Sequence, residues 1–266
     1  MSAWLKLSSP ATHQFWEIPV LFEDPYLLAL DKPAGLLTSP DRYEPERPNL
    51  MTLLHQDIKR GAAWARQRAI SYLANAHRLE LETSGLLLLA KDKPTLVALA
   101  NQFGSNKPRK TYVALVRGTP ASPTFELAAK LAPHPTKVGL VRVDARRGKQ
   151  ARTSFEVLER FRGYTLLKCR PWTGRRDQIR AHLQASGLPI LGDTLYGGRA
   201  LLLSSLKSGY RLKPRQSERP LLGRVALHAA QLQLEHPANA NPVVITCPWP
   251  KDLTVAVKYL RRYAPA

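Results

Sequence analysis

The chain predicts an α+β fold built on a mixed sheet, and two observations carry that expectation. Stretches of alternating or β-branched residues are interleaved with helical periods, yet they never settle into the strict strand-helix-strand order of a doubly wound parallel sheet. The 266 residues, 44% of them hydrophobic, are also enough to bury a sizeable core in one large domain or two small ones.

Residues 1–12 contain Ser8-Ser9-Pro10 and little periodicity, and read as an N-terminal tail or an added edge segment. Ile18–Phe22 and Tyr26–Leu30 are apolar runs around the turn signal Glu23-Asp24-Pro25, which predicts a strand pair ending in Asp31-Lys32-Pro33-Ala34-Gly35. Leu50–Ala63 has a weak helical period and Lys93–Phe103 a better one, closed by Gly104-Ser105; between them lies the apolar run Leu86–Ala90. Thr111–Arg117, Lys137–Val143, Ala151–Leu158 and Tyr164–Arg170 read as strands, with Gly163 marking a hairpin. A helix over Asp177–Ser186 follows, then a basic linker Leu206–Arg224, strands around Val225–Leu234 and Val243–Cys247, and a last helix over Leu253–Arg262.

Forty Lys and Arg against twenty Asp and Glu give a formal charge of +20 and a sequence pI near 10.3. An excess of that size points to a polyanionic partner, and nucleic acid explains it better than a membrane, because no long apolar run and no signal segment is present. A soluble cytoplasmic protein is therefore expected. Cys169 and Cys247 lie far apart, and the seven histidines form no ligand spacing, so no disulfide framework and no metal site is expected.

Four constellations could carry chemistry. In Asp31-Lys32-Pro33-Ala34-Gly35 a proline fixes one backbone angle and a glycine permits positive φ, allowing a turn most sequences resist. His77-Arg78-Leu79-Glu80-Leu81-Glu82-Thr83-Ser84-Gly85 packs a base, a cation, two carboxylates and two hydroxyls into a polar loop feeding a buried strand. There Arg78 can pair with a carboxylate or reach an anionic ligand, while Thr83 and Ser84 orient the loop. Arg109-Lys110-Thr111-Tyr112 sets two cations before an aromatic able to stack on a base. In Thr173-Gly174-Arg175-Arg176-Asp177-Gln178-Ile179-Arg180, a glycine turn opens a helix with Asp177 in its first turn, Arg180 directed inward and its neighbours available to phosphate. Each also has a bland reading, as a closing turn, a solvated run or core packing.

Taken in this order, the segments resemble the RluA-type pseudouridine synthases over roughly residues 17–253. The resemblance also takes in Gly192-Asp193 with Tyr196-Gly197, Leu227-His228-Ala229 and His236-Pro237. It implies a cofactor-free isomerase that converts uridine to pseudouridine in structured RNA, on a mixed, largely antiparallel sheet with flanking helices and a central catalytic cleft. Residues 13–266 would form a single catalytic domain, with no separate N-terminal RNA-binding module. The implied catalytic residues are Glu80, Tyr112 against the uracil and Arg180 paired with the catalytic carboxylate. Arg78, His77, Thr83, Arg109, Lys110, Arg175 and Gln178 would bind substrate.

Two departures stand out. Glu80 occupies the position of the family's aspartate, and its extra methylene moves the carboxylate by about 1 to 1.5 Å unless the backbone retreats, where a misplacement near 1 Å changes a rate on the order of 100-fold. Arg176-Asp177 stands where the family usually has Thr-His, adding a carboxylate three residues before Arg180. Two functions are thus expected: a synthase acting as a monomer on ribosomal RNA, with transfer RNA the competing substrate, or a catalytically silent relative that binds RNA during assembly.

Overall fold

The computed structural model describes residues 4–41, 44–212 and 216–266. In chain order the elements are β1 (Trp4–Ser9), β2 (Gln14–Glu23), β3 (Leu27–Lys32), α1 (Leu50–Lys59), α2 (Ala63–Gln67), β4 (Ala74–Asn75), β5 (Ser84–Ala90) and α3 (Lys93–Gly104). They continue with β6 (Arg109–Arg117), β7 (Thr124–Pro133), β8 (Val141–Val143), β9 (Lys149–Phe161), β10 (Tyr164–Pro171), α4 (Gln178–Ala185), β11 (Leu227–Glu235), β12 (Pro242–Thr246) and α5 (Lys251–Tyr263). The chain divides into two compact units, Met1–Arg109 with Ala229–Pro248, and Lys110–His228 with Trp249–Ala266.

In the first unit the strand order is β1-β2-β3-β5-β11, with β4 on β5 and β12 on β11. The β1–β2, β2–β3, β3–β5, β4–β5 and β11–β12 pairs are antiparallel. Because strand side chains alternate between faces, β3 sends Leu28 and Leu30 into one core and Leu27 and Ala29 into another. The first core includes Leu87 and Leu89 of β5, Leu50 and Leu54 of α1 and Trp64 of α2; the second includes Leu86 and Leu88 of β5 and Leu99 of α3. Burial on both faces is why β5 reads as an unbroken apolar run instead of an alternating one. Side-chain caps fix two helix starts: Asn49 Oδ1 accepts the Thr52 N–H at 2.9 Å, and Asp92 Oδ1 accepts that of Thr95 at 2.7 Å.

In the second unit the order is β6-β10-β9-β7-β8, and these neighbouring pairs are all antiparallel. Ala181 of α4 packs with Leu131, Val141, Ala151 and Tyr196. The α+β class with a largely antiparallel sheet and flanking helices is therefore the one expected. No helix of the described residues is long and apolar enough to cross a membrane.

Several elements differ from expectation. Within residues 1–12, Trp4–Ser9 forms edge strand β1, with Leu5 and Leu7 fully buried, so this stretch is an added edge segment and not a tail; residues 1–3 lie outside the described residues. Strand β7 was not predicted, and the strand expected over 137–143 shrinks to β8, with turns over 135–139. The weak helix at 50–63 divides into α1 and α2 around Gly61, which adopts φ 67°. Helix α4 begins at Gln178, one residue later than predicted, because Asp177 lies in the left-handed region at φ 51°. Residues 213–215 of the basic linker lie outside the described residues.

Candidate active site

Glu80 is half-buried in a turn between β4 and β5, with the Thr83 N–H donating to its carbonyl at 3.1 Å. Both neighbours are fastened. Thr38 Oγ donates to the Leu79 carbonyl at 2.8 Å and accepts the Leu79 N–H at 3.1 Å, while the Gly35 N–H donates to the Leu81 carbonyl at 2.8 Å. The Gly35 contact depends on the turn expected from Pro33 and Gly35: Gly35 has φ 80°, and the fully buried Lys32 donates to the carbonyls of Pro33 and Leu36, both at 2.7 Å. The proline-glycine turn therefore acts as a backbone clamp on the polar loop.

Around Glu80, the expected substrate-binding residues take different positions. Arg78 is exposed, and Thr83 is buried beside the start of β5. His77 accepts the Leu88 N–H on Nε2 at 2.9 Å and stacks on Phe103 with ring centroids 4.7 Å apart. Its imidazole thus anchors the loop to β5 and α3, and with Nε2 accepting, the neutral ring carries its proton on Nδ1. The motif pattern alone did not reveal this structural use of His77.

In the second unit, Tyr112 is half-buried on β6 opposite Cys169 of β10, and Lys110 is half-buried; Arg109, the last residue of the first unit's leading segment, is exposed. The Lys110 ammonium lies over Gly174, 3.7 Å from where a Cβ would stand, and burial pulls its pKa below the ordinary lysine range. The strand and the glycine loop, 64 residues apart in sequence, are brought together there.

Gln178 is buried with both ends of its amide engaged. Its Oε1 accepts from Thr173 Oγ at 2.7 Å and the Arg175 N–H at 3.1 Å; its Nε2 donates to the Arg152 carbonyl at 3.0 Å and Thr153 Oγ at 2.9 Å. These bonds make Gln178 a brace for the 173–177 loop. Arg175 is exposed, with Nε donating to the Gln150 carbonyl at 3.1 Å.

Arg180 is buried, as the inward direction predicted. Nε and Nη2 donate to the two oxygens of Asp193, each at 2.7 Å, and Nη1 donates to Asp177 Oδ1 at 2.5 Å. The guanidinium carbon lies 4.7 Å from the centre of the Tyr196 ring, whose hydroxyl accepts the Val141 N–H at 3.0 Å. The fully buried Asp193 also accepts the Tyr196 N–H at 3.3 Å. A fork-to-carboxylate pair of this kind is strong and directional, and removing one partner of a buried pair destabilises by about 3–5 kcal/mol. The glycine-rich segment gives Asp193 no role on its own; only tertiary structure identifies it as the partner of Arg180.

The RNA pseudouridylate synthase family model matches residues 26–185. A ribosomal large subunit pseudouridine synthase D of Xylella fastidiosa is 32% identical over 269 residues, covering 97% of this chain and 75% of that protein. A ribosomal large subunit pseudouridine synthase C of Salmonella typhi is 34% identical over 247 residues, covering 92% and 70%. The solved human RNA pseudouridylate synthase domain containing 4 superposes with a TM-score of 0.67 at 23% identity, covering 91% of this chain and 92% of that one.

Proposed function

This chain belongs to the RNA pseudouridylate synthase family, and from that premise we propose that it is an RluA-type enzyme converting uridine to pseudouridine in structured ribosomal RNA, with Glu80 as its catalytic carboxylate. A pseudouridine synthase is an intramolecular isomerase: the bond from the ribose to N1 of uracil breaks, a bond to C5 replaces it, the C5 proton is released to solvent and N1 takes up a proton. The observation that carries the assignment of Glu80 is the clamping of its backbone on both sides, by Thr38 at Leu79 and by Gly35 at Leu81. Catalytic groups need such fixed positions, because displacement by about 1 Å lowers a rate on the order of 100-fold.

In this reading the target nucleotide leaves its stack before reaction, since its glycosidic carbon is inaccessible within a duplex. Tyr112 packs against the uracil, Arg180 is the catalytic arginine, and exposed Arg78, Arg109 and Arg175 meet RNA phosphates. Lys110 joins them at the 173–177 loop. His77, Thr83 and Gln178 support these groups by holding the loops that present them. The protein acts as a cytoplasmic monomer without a cofactor. Ribosomal RNA is favoured because the curated relatives named above are ribosomal large subunit enzymes.

Tritium release from 5-tritiated uridine in ribosomal RNA tests the proposal. Release by the wild type and its loss in Glu80→Gln are expected; full activity in Glu80→Gln would remove Glu80 from the chemistry. Transfer RNA labelled in the same way tests the competing substrate. The glutamate at this position also favours a second reading, a silent RNA-binding relative, which requires an inactive wild type and activity gained in Glu80→Asp.

A further inference from the structure

We propose that Trp172 is a stacking platform for an unpaired base of the RNA other than the target uridine, held in place by Arg152 and rimmed by the arginines around it. This role rests on RNA being the substrate, and every residue in it belongs to the second unit.

Strands β9 and β10 pair with Arg170 opposite Ser154 and Pro171 opposite Thr153. The Trp172 N–H donates to the Arg152 carbonyl at 2.9 Å and continues that ladder by one residue, so Trp172 and Arg152 are cross-strand neighbours. The Arg152 guanidinium carbon lies 5.6 Å from the centre of the indole, a cation-over-ring contact that occupies one face of it. Arg152 is itself fastened, because Nε and Nη2 donate to the two oxygens of Glu126 on β7 at 2.7 and 2.9 Å. The next residue is tied as well: Thr173 Oγ donates to Gln178 Oε1 at 2.7 Å and accepts the Arg152 N–H at 3.1 Å. The ring is thus preset by its neighbours, and little side-chain freedom is lost when a base stacks on it.

A tryptophan that served the core would be covered, as Trp64 is at 7% exposure; Trp172 is 52% exposed. From Arg170 to Arg176 the chain carries three exposed arginines and no acidic residue. Arg170 is held only loosely by Glu156, at 4.0 Å, because that carboxylate has a closer partner in Lys168 at 3.0 Å. Side chains two residues apart on a strand share a face, and on the face of Arg152 and Arg170 a cavity of about 380 Å³ opens between Glu126, Ser154, Glu156, Lys168 and Arg170. The surface beside the ring is therefore recessed and offers a track to an extended strand. A flat ring rimmed by guanidinium groups fits a nucleotide, with the base on the indole and the phosphates on the arginines. Bases inside a duplex are already stacked on both faces, so the occupant is a nucleotide of a single-stranded segment.

Filter binding to a large-subunit ribosomal RNA transcript at several salt concentrations tests this with Trp172→Ala, Trp172→Phe and Arg170→Gln, folding being verified by thermal denaturation. Trp172→Ala is expected to weaken binding roughly 5- to 150-fold without changing the slope of log affinity against log salt, because stacking neutralises no phosphate. Trp172→Phe keeps a ring and should recover most of the affinity, while Arg170→Gln should reduce the slope by about 0.7–0.9. In turnover the loss in Trp172→Ala should appear in KM with kcat little changed, since a base away from the reacting uridine is bound equally in the ground and transition states. Wild-type affinity in folded Trp172→Ala overturns the proposal and leaves this face to a protein partner. Failure of both Trp172 variants to fold also overturns it, since the ring would then be structural. A wild type that binds no RNA removes the underlying reading and this inference with it. A wild type that binds RNA but releases no tritium removes the catalytic reading alone, and weakened binding in Trp172→Ala then still supports the platform.

Discussion

His182 shows how a single buried group ties stability to pH. It is almost fully buried on α4, with Nδ1 3.0 Å from Thr153 Oγ, and Nε2 has no hydrogen-bond partner among the described residues. Burial disfavours the imidazolium, so the folded-state pKa lies below the ordinary histidine value. The unfolded chain therefore takes up this proton first as pH falls: the contribution is fully present above the unfolded pKa, about 6.5, and is lost as pH decreases toward the folded value. Urea unfolding at pH 7.5 and 5.5 is expected to show a smaller loss on acidification in His182→Gln than in wild type; equal losses would remove His182 as a source. At this scale the sequence singled out the polar loop 77–85 but not its supporting contacts. The helix-start rule assigned Asp177 to the first turn, where local bonding alone would place it, but a guanidinium one turn away won the carboxylate. Asp193 could not be assigned from local pattern at all, since its partner lies 13 residues earlier.

Two glycines with positive φ show how elements hold the loop, and steric surroundings set them apart. Gly35 has φ 80°, with nothing within 4 Å of a built Cβ, so Gly35→Ala meets only the left-handed penalty, about 1–2 kcal/mol. Gly85, at the start of β5, has φ 113°, and its Cβ would stand 2.4 Å from the Ala229 carbonyl oxygen and 2.7 Å from the Ala229 nitrogen. Those are backbone atoms of β11, which no rotamer change can move, so Gly85→Ala is expected to cost about 4 kcal/mol or more. Chemical denaturation of the two variants checks this; equal losses would reject the close approach. Element prediction succeeded where burial left a strong signature, as in the continuous apolar run of β5. It failed at β7, where Phe125, Leu127, Ala129 and Leu131 alternate with Glu126, Ala128 and Lys130, but two alanines dilute the β-propensity. At β1, Leu5 and Leu7 carried an alternation too short to outweigh the adjoining Ser-Ser-Pro.

The +20 charge belongs to the whole molecule, and at least half of its cations have no acidic side chain for one-to-one pairing. Some surface arginines are nevertheless engaged: Arg152 forms a two-point pair with Glu126, and Arg261 another with Glu159. Such exposed pairs add little stability, but they make their arginines less available to phosphate. Arg146 and Arg147 differ. Their backbone N–H groups each donate to Asp144 at 3.0 Å, while both side chains are exposed and form no ion pair among the described residues. A Cβ on Gly148 would stand 2.5 Å from the carbonyl carbon of Lys130, so this turn lies closely against β7 and presents its arginines from a braced backbone. Each phosphate contact adds roughly 0.7–0.9 to the slope of log affinity against log salt. If this turn meets RNA, Arg146→Gln with Arg147→Gln should reduce the slope by about 1–2 and leave kcat unchanged. Arg261→Gln, which removes a cation already held by Glu159, should leave the slope near the wild-type value. Filter binding to ribosomal RNA between 50 and 200 mM salt distinguishes these outcomes, and an unchanged slope in the double variant would place the turn outside the RNA path.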